Sequence, residues 1–213
     1  MRCLGGDGLR AVLAVVLGMV AYHHLPALVA THYDLAGKAD RMGSRLQAVL
    51  VEPATMLGMI LLWHVLWRID PKKRNYKSFW STYRYIGGVI VVFTALTYLG
   101  SLGQLLNIVG TSSMRFMPTV FGIMILLLAN VLPRIQPNWW VGIRTPWTLS
   151  SATNWNRTHR LAGHLGIPTG ILMVILAWVL PKSMISLAVL VPILLWALIA
   201  VVASYVYGRQ EEH

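Results

Sequence analysis

From Ile185 to Val206 the chain carries no charged side chain, and about 20 consecutive apolar residues is the length a helix needs to cross the hydrocarbon of a bilayer. Comparable runs occur at Leu9 to Leu28, Ala48 to Trp67, Tyr85 to Val109, Phe116 to Leu132 and Leu161 to Leu180. In hydrocarbon, every peptide group must find its partner within the chain, which leaves runs of this kind the helix as their conformation. Composition agrees: 56% of the 213 residues are hydrophobic and 12% charged, against roughly 45–50% and about 25% in soluble domains. A soluble globule could not cover so much apolar side chain. The expected fold is therefore all-α, a polytopic membrane protein of about six transmembrane helices.

Lys and Arg number 18 against 7 Asp and Glu, a formal charge of +11. The cations are split among short loops and form no continuous patch, which points to anionic lipid as their partner and away from nucleic acid. With the N-terminus in the cytoplasm, thirteen cations fall inside, among them Arg68, Lys72, Lys73, Arg74, Lys77 and Arg84, and five (Lys38, Arg41, Arg45, Arg115, Lys182) fall outside. The positive-inside rule thus predicts both termini in the cytoplasm. Cys3, the single cysteine, has no partner for a disulfide or a Cys-rich metal site. Two loops are long, 29–47 outside and 133–160 inside, and function is expected to concentrate there.

The inner loop reads Asn138-Trp139-Trp140-Val141-Gly142-Ile143-Arg144-Thr145-Pro146-Trp147-Thr148-Leu149-Ser150-Ser151, followed by Trp155, Thr158, His159, Arg160 and Gly163. Pro146 restricts Thr145 to extended backbone and Gly142 permits a tight turn. Trp139, Trp140, Trp147 and Trp155 suit the headgroup layer. Ser150 or Ser151 can cap a helix that places Trp155 and His159 on one face. Between Pro133 and Arg160 stand four arginines and no acid. Two readings follow: a lipid-anchoring interfacial loop, or a turn in which Arg144 receives a carboxylate, phosphate or peptide group.

The pattern Asn138-x-x-x-Gly142-Ile143-Arg144-Thr145-Pro146-Trp147-Thr148-Leu149, then Trp155-x-x-Thr158-His159-Arg160-x-x-Gly163, resembles the signature of the SdpI family of bacterial membrane proteins. Pro26-x-x-x-x-Thr31-His32-Tyr33-Asp34-x-x-Gly37-x-x-Asp40 resembles the small module of unknown function that often precedes it. The resemblance implies a protein of the bacterial cytoplasmic membrane that gives immunity to a secreted peptide toxin. In the family's best-known member it also implies signalling, by holding a transcriptional repressor at the membrane. Ligand or partner binding is expected at Asn138, Gly142, Arg144, Thr145, Pro146, Trp147, Thr148, Trp155, Thr158, His159 and Arg160 of the signature, and recognition on the outer face at His32, Asp34, Gly37, Asp40 and Glu52. The chain divides into a two-helix module at 9–67 and a four-helix region at 85–206 within one integral-membrane domain, 1–213. In one departure from the family pattern, Ala152, Thr153 and Asn154 stand where an acid commonly lies between the Ser pair and the Trp, so the helix there must start on Ser or Thr capping alone.

On the outer side, His23, His24, His32, Asp34 and Glu52 are possible metal ligands, although their spacing matches no zinc signature. The alternative is that Glu52 pairs with Arg41, Arg45 or one of the histidines, with Pro53 in the first turn of its helix. His159 and His164 lie about 140° apart on an ideal helix, poorly placed to share one metal. Gln104, Asn107 and Asn130 are expected to hydrogen-bond between helices, and Gly166 and Gly170 to let helices approach closely. No nucleophilic triad, phosphate loop or HExxH pattern is present, so no enzyme activity and no cofactor are expected. A solute or peptide transporter, or a membrane-embedded metal-dependent enzyme, remain the rival readings. Reporters fused to the C-terminus should resist protease added to intact cells; cleavage there would reverse the predicted orientation.

Overall fold

Pro26 and the His23-His24 turn end the first helix before the segment 29–47 begins, giving α1 (Leu4–Tyr22). The structure, a computed structural model, describes residues 4–33, 39–108 and 113–211. The chain then forms two short antiparallel strands, β1 (Leu28–Tyr33) and β2 (Ala39–Ser44), with Leu28 opposite Ser44 and Tyr33 opposite Ala39. This hairpin orders most of the loop expected at 29–47 and departs from the expected all-α class. Its β-branched Val29 and Thr31 suit a strand, and Val29 is buried with Leu25 against the first three helices. Asp34 and Gly37 lie outside the described residues.

Helix α2 (Arg45–Ile69) starts on a reciprocal cap between Ser44 and Gln47, and α3 (Tyr76–Leu105) bends at Phe79. There follow α4 (Ser113–Ala129), the single-turn α5 (Pro146–Ser150), α6 (Ala152–Val179) and α7 (Ile185–Glu211). Five of these helical segments are long and apolar enough to cross a membrane, and α1 adds a shorter apolar run, Val12–Tyr22. The protein is an all-α polytopic membrane protein apart from the hairpin. Exposed apolar side chains such as Leu61, Leu194 and Leu198 form the surface that lipid covers and water would not.

Two cores occupy opposite ends. At the hairpin end Met56, Ile60, Val91 and Leu102 pack with Leu25 and Val29; at the other end Tyr76, Phe79, Tyr83, Ile135 and Trp155 form an aromatic cluster. Aromatic clasps join neighbouring helices. Trp63 and Tyr83 stack at 4.5 Å, each donating to the other's main-chain carbonyl, at 3.2 Å and 2.5 Å. Trp196 of α7 donates to the Ala162 carbonyl of α6 at 2.8 Å. The expected close approach at Gly166 and Gly170 is present: a Cβ on Gly170 would stand 2.5 Å from the Gly122 carbonyl of α4. Arg115 donates to the carbonyls of Ala177 and Leu180, at 2.6 Å and 3.3 Å, and so satisfies the C-terminal end of α6.

Two expectations are corrected here. Asn107 does not bridge helices; it ends α3 with φ 56°, in a turn where Ile108 N–H reaches the Gly103 carbonyl at 2.9 Å. Pro53 lies in the third turn, since the cap at Ser44 starts α2 earlier than the apolar run suggests. A proline there leaves the Val49 carbonyl without its helical donor, and the Tyr98 hydroxyl of α3 supplies one at 3.1 Å. Gly18 of α1 leaves room for that hydroxyl. Replacing Tyr98 with Phe strands a buried carbonyl and should cost about 1–3 kcal/mol, read as a lower thermal midpoint in detergent; an unchanged midpoint would mean that the carbonyl does not depend on Tyr98.

Candidate functional site

The signature loop is folded by its own polar side chains. Asn138, fully buried, closes a turn: its Oδ1 accepts the N–H groups of Trp140 and Val141 at 2.9 Å and 2.7 Å, and its Nδ2 donates to the carbonyls of Gln136 and Val141, both at 2.9 Å. Gly142 follows with φ 110°, a conformation that other residues adopt only under strain. A Cβ there would also overlap His159 Nε2. That nitrogen accepts the Ile143 N–H at 2.9 Å, while Nδ1 lies 2.8 Å from the Trp155 carbonyl. A ring that accepts at Nε2 and faces a carbonyl at Nδ1 must be neutral with its proton on Nδ1. His159 stacks on Trp155 at 4.1 Å, the i, i+4 contact that the spacing predicts.

Thr145 and Thr148 cap α5 reciprocally, and Ser151 caps α6 by accepting the Asn154 N–H at 3.1 Å. Hydroxyl capping alone therefore starts both helices, as the missing acid requires. The Thr145 hydroxyl also reaches Ser204 of α7 at 3.0 Å, and Asn154 Nδ2 donates to the Ser204 carbonyl at 2.9 Å. Thr158 donates to Asn154 Oδ1 at 2.9 Å. Trp155 is not an interfacial indole: it is fully buried and its Nε1 donates to the Ile135 carbonyl at 2.8 Å. Trp139 and Trp140 are exposed, and Trp147 packs half-buried on Tyr205.

The loop's acid comes from elsewhere. Asp70, at the C-terminal end of α2 and 2% exposed, accepts the Tyr76 hydroxyl at 2.8 Å, the Trp139 N–H at 2.9 Å and the Lys72 N–H at 2.6 Å. Three donors compensate a carboxylate that burial would otherwise penalise. Asn75 donates to the Pro137 carbonyl at 2.7 Å and Lys72 Nζ to the Leu149 carbonyl at 3.3 Å. Asp70, Asn75 and Tyr76 were not singled out from the sequence, and Lys72 was read there only as one of the inner cations. The clue available was a lone acid before Pro71, between a span and a run of cations.

Asn138, Thr145, Thr148, Trp155, Thr158 and His159 thus sit inside, bonded to one another and to neighbouring helices, where they shape the loop. Gly142, Arg144, Pro146 and Arg160 are exposed. Arg144 donates to the Trp139 carbonyl at 2.6 Å through Nη1, and its exposed fork suits a planar anion or a peptide group.

At the hairpin end His32 Nδ1 lies 2.6 Å from Asp40 Oδ1, both well exposed. Glu52 is half-buried on α2 and makes no ion pair among the described residues, so the expected pairing with Arg41, Arg45 or histidine is absent. Arg45 instead lies over the Tyr22 ring at 4.6 Å. His23 and His24 are exposed at the end of α1. Among the described residues no three His, Cys, Asp or Glu side chains gather as a metal site would need. Replacing Gly142 with Ala should cost at least about 1–3 kcal/mol, lowering the unfolding midpoint and speeding amide exchange at Ile143; a variant with both unchanged would show that the turn tolerates a side chain.

Residues 134–207 match the SdpI/YfhL protein family, and residues 9–57 match a domain of unknown function, DUF1648. The chain is 24% identical over 201 residues to Immunity protein SdpI of Bacillus subtilis (strain 168), an alignment covering 93% of this chain and 92% of that protein. No solved structure matches. The chain is thus a multi-pass membrane protein with a segment similar to the SdpI/YfhL family behind a segment similar to DUF1648, the resemblance that its loop signature carries.

Proposed function

We propose that this protein is an SdpI-like immunity protein of the bacterial cytoplasmic membrane that protects its cell against a secreted peptide toxin. The observation that carries the reading is the alignment to Immunity protein SdpI over nearly the whole of both chains. A shared membrane fold alone would support much less. The toxin meets the outer face at the hairpin, where the exposed His32 and Asp40 stand beside exposed Leu28 and Met42. Such a mixture of apolar and polar groups suits an amphipathic peptide at a membrane surface.

At the opposite end, Arg144 spends one N–H on the Trp139 carbonyl and presents the rest of its exposed guanidinium. A cytoplasmic repressor, where one exists, docks on the surface formed by 68–84 and the signature loop. Support for treating these two segments as one surface comes from the bonds of Asp70, Lys72 and Asn75 to the loop. Coupling the two ends requires two helix arrangements that the toxin binds with different affinity.

The test is survival of a toxin-sensitive bacterium expressing the wild type or Arg144→Ala at matched membrane levels during exposure to the peptide toxin. Protection by the wild type that falls by an order of magnitude or more in the variant is expected, since a lost bidentate contact at a binding site is worth on the order of tenfold or more. Equal protection would remove Arg144 from the mechanism, and failure of the wild type to protect would overturn the immunity reading for that toxin.

A further inference from the structure

The first turns of α6 and the last turns of α7 enclose a cleft of about 410 Å³ lined by Thr153, Asn156, Arg157, Arg160, His164 and Tyr207. Arg157 is held in place from the α7 side: its guanidinium lies 4.0 Å over the Tyr207 ring and donates to Gln210 Oε1 at 3.0 Å. Two arginines and a histidine line the cleft with no carboxylate among them. Such a lining selects an anion, and the guanidinium fork matches phosphate oxygens.

The position of the cleft decides what kind of anion. Arg157, Arg160 and His164 follow one face of α6 at helical spacing, and the same face continues through Pro168, Ile171, Leu172, Ile175 and Val179, all exposed. One stripe therefore changes from cationic to apolar along its length, with the cationic part at the polar end of a membrane span. A phospholipid has the same profile, an anionic phosphate above and hydrocarbon below, whereas a free phosphate ion would leave the apolar strip unused.

We propose that this cleft binds the phosphate of an anionic phospholipid, with an acyl chain laid along the exposed apolar strip of α6. The site stands on side chains distinct from the buried Asn138–His159 network and holds whether or not the immunity reading does. Bound lipid would bridge α6 and α7 at the end where Thr145 and Asn154 already join them to Ser204.

The test uses the full-length protein in detergent, offered phosphatidylglycerol, phosphatidylcholine or inorganic phosphate, with bound molecules counted by native mass spectrometry. The wild type should retain phosphatidylglycerol about tenfold or more over phosphatidylcholine, on the scale of two to three cations near a headgroup. The double variant Arg157→Gln/Arg160→Gln should lose most of that preference. Lys182→Ala, exposed beyond the far end of α6, should keep it, which separates the cleft from the protein's general positive charge. Should the double variant lose its helical circular dichroism, His164→Gln, an exposed cleft residue, carries the same expectation with a smaller, severalfold loss. A phosphatidylglycerol preference indifferent to the cleft substitutions overturns the site. Retention of inorganic phosphate with no lipid selected overturns the lipid assignment.

Discussion

A main-chain carbonyl or N–H buried between helices in a bilayer has no water to turn to, and much of this structure is arranged around that constraint. At Pro53 and at the end of α6, a side chain from another element completes the bonding. Tyr98 serves Val49 where Pro53 cannot, and Arg115 serves the end of α6. Trp155 and Trp196 serve the carbonyls of Ile135 and Ala162. These bonds run between segments distant in sequence, so satisfying the backbone also fixes which helices are neighbours.

The signature loop follows the same logic at the membrane boundary. It has little regular structure beyond α5, yet Asn138, Thr145, Thr148 and His159 bond its peptide groups almost as a helix would. Asp70 contributes the negative charge that the loop itself lacks. Its carboxylate is tolerated because three donors surround it, among them the N–H of Trp139, and the result ties the turn after α2 to the loop before α6. A rigid underside of this kind leaves the exposed side chains, Arg144 and the indoles of Trp139 and Trp140, to face whatever approaches from outside the bundle.

Close helix contact at the loop's base has a second cause. Gly163, Gly166 and Gly170 repeat along the face of α6 that meets α4 and α7, and a Cβ at any of them would press on Pro133, Ala129 or the Gly122 backbone. Without a hydrophobic force between helices in lipid, association depends on such packing and on bonds across the interface. The opposite face of α6 is free to differ, and it passes from arginine to leucine along its length.

The membrane class and the resemblance of the loop to the SdpI family were legible from the chain alone, because span length, the scarcity of charge and the loop signature are local properties written residue by residue. The stacking of Trp155 with His159 and the capping by Ser151 were legible for the same reason: both act within one turn or two. The hairpin at 28–44 was not, since short strands beside a turn carry weak periodicity and are held here by the burial of Val29 against three helices. Nor could spacing alone distinguish the indole of Trp155, which points inward to the Ile135 carbonyl, from those of Trp139 and Trp140, which remain exposed. Asp70 belongs to the signature loop only because tertiary packing brings the end of α2 beneath Trp139, 69 residues away. The sequence by itself determined that the chain is a bundle of membrane helices with an arginine-rich turn. Only the tertiary structure decided which of that turn's residues are consumed in satisfying buried backbone and which remain to act, because that division depends on contacts between segments far apart in sequence.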